Sequence, residues 1–550
     1  MADRTWWKSV HPALPEIAEK LRREEIDRRD FLRTASLLGM SAGAAYALAG
    51  ELTGEGLLKP AAAQQEETPV MGGTLRVGMR VQEMKDPAVF DWTEKSNQAR
   101  QILEYLVMTD ENNVTHPYLL ESWQPSEDLK TWQLNLRRGV KWNNGDDFIA
   151  EDVAHNFRRW IDPATGSSNA SLFSSLPESG IEIVNDHTVV LHLNEPDLSV
   201  PENLYNYPAA IVHRRFDEMG GDFEANPIGT GPYQLAEFSV AGVCRLTKRP
   251  PEEYWGDEVY LDEIAYIDFG EGTGPTVQAL LAGEVDTVYE IGIEEIEIIE
   301  ENPNLEVLQA ITAQTAVARM RVTEEPFTDR RVRQAVVACM DHVRLLEIGY
   351  RGRGAPAENH HVCPIHPEYF PLPRLRQDYD LARELLAEAG YADGLNLTID
   401  VRNAPSWEVN TMQAFKEMLE PAGINLSLNV MPDSQFWEIW DKTPFGFTAW
   451  THRPLGVQVM NLAYRSGGAW NESAYSNPEF DAALDVANGL VDPAERSRQM
   501  EKVEKILQDD AVIAQPLWRA VFTAANRRVA NITCHPTFYH QFNRVWLRSA

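Results

Sequence analysis

Three histidines and a cysteine fall within seven residues in Asn359-His360-His361-Val362-Cys363-Pro364-Ile365-His366, and imidazole with thiolate is ligand chemistry for a transition metal or the iron of a haem. The spacing matches no closed four-ligand site and Pro364 stiffens the run, so the competing reading is a polar, exposed loop. Arg321 and Arg453 carry planar guanidinium forks suited to a carboxylate, phosphate or sulfonate. Trp450 and Trp407 could wall such an anchor, although tryptophan is more often core. Glu83, in Gln82-Glu83-Met84, could pair with an ammonium or a hydroxyl. Catalysis needs a nucleophile, a base and an orienting group. Beyond residue 63 the chain has no Gly-x-Ser-x-Gly, His-Glu-x-x-His or Walker loop, and Glu294-Glu295 with Glu300-Glu301 read as the solvated face of a short helix. The chain is not expected to be an enzyme.

The elements that must position these residues follow from periodicity. Arg321 lies in a stretch, 317–340, that reads as a strand ending near Val322, a turn carrying Pro326, and a helix capped by Thr328 or Asp329. Val332, Ala335, Val336 and Cys339 share one face of that helix. Before this crossing the pattern predicts a strand at 72–79, a helix at 98–107, an alternating strand at 131–136 and a helix opening at Ala150. A strand follows from Gly229, whose glycines suit close backbone approach, then a helix at 276–282 and a strand at 285–289. After the crossing it predicts helices at 379–389, 409–420, 435–441 and 493–509, with strands at 395–400, 425–430 and 445–450. Alternation of this kind implies two α/β lobes.

Composition sets limits on function. The chain has 550 residues, enough for three or four domains, with 43% hydrophobic and 24% charged residues, as in an ordinary globular protein. Its net charge of -33 argues against nucleic acid and anionic membranes as partners, because both need a basic field. Residues 1–63 read as a leader: Asp27-Arg28-Arg29-Asp30-Phe31-Leu32-Arg33, a weakly apolar run from Thr34 to Ala49, then Ala61-Ala62-Ala63 as a small-residue cleavage site. The order resembles a twin-arginine export signal, which implies a folded, periplasmic cargo. Asp27 and Arg33 depart from the usual residues of that signal. No cysteine precedes Cys244, so no lipid anchor is expected. Cys244, Cys339, Cys363 and Cys534 permit three pairings, among which the sequence does not choose.

Several motifs in order carry a family resemblance. Pro117-x-Leu-x-Glu-Ser-Trp123, Leu136-Arg-x-Gly-Val-Lys-Trp142, Gly145-Asp-x-Phe148 and Ala150-Glu-Asp-Val153 resemble the signature of the extracytoplasmic solute-binding proteins, family 5, of peptide and nickel ABC importers. Pro227-Ile-Gly229-Thr-Gly231-Pro-Tyr233, the 317–340 crossing and the helix from Tyr379 to Gly390 extend the resemblance over the chain beyond the leader. It implies a type II periplasmic-binding-protein fold: an α/β protein of two lobes with an additional inserted domain. The implied division is 70–115, 228–318 and 520–550 for lobe I, 116–227 for the inserted domain and 319–519 for lobe III. Peptide-binding members resemble Trp-x-x-Asp where this chain has Trp450-Thr451-His452-Arg453, and a cation cannot hold a peptide's ammonium group. Relatives commonly carry Asn where Arg321 stands. The ligand site implied is therefore Arg453, Trp450, Arg321 and His452, with Glu83 and Trp407. It would take a small anionic or zwitterionic solute, such as a short peptide, an opine-like compound or an acidic sugar. The protein would be a monomer, without a cofactor, that closes about a hinge and delivers its ligand to an ABC permease. The alternative is a metal-chelate or haem receptor using His360, His361, Cys363 and His366.

Overall fold

The computed structural model describes residues 6–23, 25, 26, 28–40, 42–53, 68–373 and 375–549. Stretches that alternate apolar and polar residues form strands: β1 (Thr74–Gly78), then β2 (Leu120–Pro125), β3 (Thr131–Leu136), β4 (Ile181–Asn185) and β5 (Thr188–His192). They continue as β6 (Tyr233–Phe238), β7 (Val243–Lys248), β8 (Glu263–Ile267), β9 (Thr287–Val288), β10 (Leu305–Met320), β11 (Leu395–Arg402), β12 (Ile424–Met431), β13 (Phe445–Trp450) and β14 (Leu517–Asn526). Strands β2 to β5 make a separate four-stranded antiparallel sheet in the order β2-β3-β5-β4. The others join one twelve-stranded sheet in the order β12-β11-β13-β10-β14-β9-β1-β8-β7-β6, with two short strands on its flanks.

Two parallel groups give the sheet its two lobes. Strand β1 runs parallel to β8 and β9, and β11 runs parallel to β12 and β13. Between them lie β10 and β14, antiparallel to each other from Leu305 to Thr315, with a register shift between Ala310 and Gln314. The chain thus passes between lobes on two long hydrogen-bonded strands rather than on loose linkers.

The described part of the N-terminal stretch folds onto this body. It forms α1 (Leu14–Arg22), α2 (Arg28–Leu37) and α3 (Ala42–Thr53). One face of α1 buries Leu14, Ile17, Ala18 and Leu21, and α2 is buried from Phe31 to Leu37. Trp123 Nε1 donates to the Leu37 carbonyl at 3.0 Å, Arg33 donates to the Ile365 carbonyl at 3.1 Å, and Lys20 pairs with Asp492. Set aside in the sequence reading, these helices contribute to the same apolar core as the body, because their apolar faces have nowhere else to leave water. Asp27 and the Ala61 to Ala63 cleavage site lie outside the described residues.

The helix expected at 98–107 begins earlier, as α4 (Thr93–Arg100). At the crossing, α5 (Arg330–Ala338) starts at Asp329, whose carboxylate accepts from Arg331 N at 2.9 Å, and β10 ends at Met320 rather than near Val322. All four cysteines are buried and unpaired. Between β5 and β6, Gly229 packs so tightly on Ile102 that a Cβ would lie 2.0 Å from the Ile102 carbonyl oxygen. Gly229→Ala should therefore destabilise the chain by roughly 1–3 kcal/mol, since neither backbone can yield cheaply. An unchanged urea midpoint for that variant would contradict the close approach.

Candidate ligand-binding site

Parallel strands end on one side of a sheet, and ligands of open α/β folds bind outside those carboxyl ends. Here both groups of parallel strands end on a common cavity that opens to solvent. Met79 and Arg80 follow β1, Gly270 to Thr273 follow β8, and Tyr289 and Glu290 follow β9. The second lobe supplies Arg402 at the end of β11, then Ala404 and Pro405, Asp433 after β12 and Ala449 near the end of β13. Trp92 and Glu94 at the start of α4, with Arg519 of β14, complete the lining.

Charge of both signs is buried here, and most of it is paired. Arg402 donates from Nε to Glu408 Oε2 at 3.0 Å and from Nη1 to Asp433 Oδ1 at 2.7 Å. Glu408 comes from α6 (Ser406–Leu419) and Asp433 opens α7 (Asp433–Trp437). Burial pushes the Glu408 carboxyl up, and Arg402 opposes that shift. The second oxygen of Asp433 accepts from Arg80, which reaches across from the other lobe. Trp437 donates to Asp433 Oδ1 at 3.1 Å, its ring lies 5.1 Å from the Arg402 guanidinium, and Trp92 meets it at 5.1 Å between centroids. Arg519 pairs with Glu290 and donates to Gln314 Oε1 at 2.8 Å.

Glu94 differs from these groups. Its Oε2 accepts from Gln82 Nε2 at 2.5 Å, and among the described residues no cation lies within ion-pair distance of it. Burial pushes its carboxyl up to about 8, against the pull of Arg80.

The residues singled out from sequence lie elsewhere, for none of Arg453, Trp450, Arg321, His452, Glu83 and Trp407 lines this cavity. Arg453 is buried, donating to Tyr207 Oη at 2.8 Å and Thr451 Oγ1 at 2.6 Å, with its guanidinium 4.8 Å from the Tyr207 ring. Trp450 donates to Glu472 Oε1 at 2.8 Å; it alternates with Ala449 along β13 and so faces the other side of the strand. Arg321 donates to the carbonyls of Asp441 at 2.6 Å and Glu472 at 3.2 Å. His452 accepts from Ala313 N at Nδ1, 3.1 Å, and meets Asn113 Oδ1 at Nε2, 2.8 Å. Glu83 is exposed beside Lys85, and Trp407 packs edge-on against Tyr350, 5.4 Å from the Arg519 guanidinium. Structure thus brings Trp450, His452 and Arg453 together at the end of β13, with Arg321 joined to Trp450 through Glu472, and leaves Glu83 and Trp407 apart from them.

The His/Cys loop is buried rather than exposed, which corrects the polar-loop expectation. His360 Nε2 meets Glu358 Oε2 at 3.0 Å, His361 Nδ1 meets Tyr464 Oη at 2.9 Å, and His366 Nε2 meets the Arg453 carbonyl at 3.0 Å. Burial lowers His361 to about 3 and His366 to about 4, so both rings are neutral. Among the described residues no group of three or more His, Cys, Asp or Glu is arranged to hold a metal ion.

Sequence reasoning passed over Arg80, Glu94, Glu290, Arg402 and Asp433. One signal was available: each charged residue just past the carboxyl end of a parallel strand is a candidate, and Arg80, Glu290 and Asp433 all sit within two residues of such an end. Glu94 gave no such signal, because it precedes the helix as the sequence predicted it.

A crevice at the strand ends of two α/β lobes, walled by paired charges from both, defines a solute-capturing protein of the two-lobed class. The model of the bacterial extracellular solute-binding proteins, family 5, matches residues 114–471, and the chain belongs to that family. It is 27% identical over 434 residues to the glutathione-binding protein GsiB of Salmonella choleraesuis, across 74% of this chain and 81% of that one. The oligopeptide-binding protein AppA of Bacillus subtilis, solved with a nonapeptide, superposes with a TM-score of 0.78 at 19% identity over 88% of this chain and all of AppA. A dipeptide-binding protein of Pseudoalteromonas sp. SM9913, solved with Met-Leu, gives 0.76 at 20% identity over 86% and 100%. These structures establish the type II periplasmic-binding fold with two lobes.

A carboxyl raised from its ordinary 4.5 to about 8 makes the folded state the better proton binder between those values. Stability from that proton is complete below about pH 4.5 and is lost as pH climbs toward 8, at roughly 1.4 kcal/mol per pH unit. Glu94→Gln abolishes this loss, so urea midpoints of the variant should rise above wild type at pH 8 and converge with it near pH 5. A difference independent of pH would show that Glu94 is not held protonated.

Proposed function

We propose that this protein captures a small zwitterionic solute, peptide-like in carrying both an amino and an acidic group, and delivers it to an ABC permease. The observation that carries the reading is the cavity between lobes, lined by Arg80, Arg402 and Arg519 and also by Glu94, Glu271, Glu290 and Asp433. A purely anionic ligand would meet more carboxylates than guanidiniums there; a zwitterion finds a partner for each end. The ligands of the relatives, glutathione, a nonapeptide and Met-Leu, are of this kind.

Lobe assignments of 70–115, 228–318 and 520–550 against 319–519 put Arg80, Glu94 and Glu290 on one side of the cavity and Arg402 and Asp433 on the other. Ligand contacts to both sides then favour the closed state, and Arg80 with Asp433 is the protein's own contact across the gap. Capture is noncovalent, by a monomer. A thermal-shift screen tests the reading: glutathione and Met-Leu should raise the unfolding temperature, while citrate and sucrose should not. A response confined to citrate would replace the zwitterion by an anion.

Residues 1–63 fit export by the twin-arginine route to the periplasm. Supporting this are the Arg28-Arg29 pair at the start of α2 and the apolar run behind it; no described helix is long and apolar enough to cross a membrane. Replacing both arginines by lysine should leave the precursor in the cytoplasm, as read by fractionation. Normal export of that variant would refute the route.

A further inference from the structure

Within the cavity each guanidinium has a carboxylate partner, and one buried carboxyl group has no cationic partner among the described residues. Arg402 is bound by Glu408 and Asp433, Arg80 by Asp433, and Arg519 by Glu290. Glu94 is 8% exposed and receives only the neutral Gln82 amide. Beside it Tyr289, also 8% exposed, lines the same cavity and sets its hydroxyl among Thr93, Glu94 and Glu290. Charged and titratable groups facing Glu94 are Arg80 after β1, Tyr289 and Glu290 after β9, and Asp433 at the start of α7. Two carboxylates, Glu290 and Asp433, and one committed guanidinium, Arg80, surround a buried acid whose hydrogen bond comes from a neutral amide, and among the described residues no cation pairs with it.

We infer that the corner formed by Glu94, Tyr289 and Glu290 is the subsite for the ligand's ammonium group, so that the first lobe selects the amino end of the solute. This rests on the zwitterion reading above and deepens it. Arg453, in the loop beyond β13, carries a guanidinium, which has donors only and cannot hold an ammonium. The structure assigns that task to the opposite lobe. An arriving ammonium donates to Glu94 and to Glu290, accepts nothing, and leaves the Tyr289 hydroxyl free to donate to the ligand's neighbouring carbonyl. Glu94, held protonated in the empty cavity, gives up its proton to solvent as the ammonium docks, so binding releases a proton near neutral pH.

The test uses the full chain with Met-Leu, N-acetyl-Met-Leu and Met-Leu amide as probes, followed by titration calorimetry at pH 7 in two buffers of different ionisation enthalpy. Met-Leu and its amide should bind, and the acetylated peptide should bind at least roughly tenfold more weakly, the loss expected for one charge-assisted hydrogen bond. Buffer dependence should report proton release for Met-Leu. Glu94→Gln, which keeps an acceptor for Gln82, should abolish both the proton release and the preference for the free amine. Tyr289→Phe should weaken both amines without removing the release. Equal binding of Met-Leu and its acetylated form overturns the subsite and the zwitterion reading together, whereas a preference for the free amine that survives in Glu94→Gln overturns the subsite while leaving the zwitterion reading in place. Proton release unchanged in Glu94→Gln also overturns the subsite. Silence toward all three probes sinks the peptide-like reading and this assignment with it.

Discussion

Asp433 holds two guanidiniums at once, Arg402 beneath it in its own lobe and Arg80 from the lobe opposite, and the geometry of the crevice depends on that arrangement. A buried ion pair adds little net stability, because the cost of leaving water nearly cancels the attraction, but removing one member strands the other at a cost of several kcal/mol. Its contribution is therefore positional. Glu408 pins the far side of Arg402, Trp437 covers its face, and Trp92 presses on Trp437 from the first lobe. These contacts join the two lobes across the cavity.

The same logic separates the cavity from the buried loop beyond β13. There Arg453 lies against Tyr207, and nearby Arg100 is enclosed by the rings of Tyr105, Tyr205 and Tyr539 at 4.2, 4.6 and 3.9 Å. Ring faces satisfy these cations, and the neighbouring histidines stay neutral because burial penalises their charged forms. Charge in that region is internal to the fold. Charge in the cavity is arranged around a space, and Glu94 is the group whose environment is incomplete without a visitor.

The strand and helix pattern was legible because period is a local property. Residues 395–400 and 425–430 alternate, and both are strands of one parallel pair; the capped helix after Pro326 starts at Asp329, within the expectation of Thr328 or Asp329. Family motifs then supplied the fold. Site residues were less legible. Along β13 the faces alternate, so Ala449 lines the cavity while Trp450 turns to Glu472, a division that residue type alone did not indicate. His360, His361, Cys363 and His366 looked like a metal set by type, yet each ring is taken up by a different neighbour.

By itself the sequence determined the class of fold, the crossing at 317–340, the close approach at Gly229 and the acidity of the chain, since each depends on residue type, spacing or summed charge. Only the tertiary structure decided which charges meet. Arg80 and Asp433 are separated by more than three hundred residues and are joined by the return of the chain through β10 and β14 to one sheet. Whether Glu94 is paired or left wanting a cation depends on where every other charge has gone, and that is settled only when both lobes are folded around the same space.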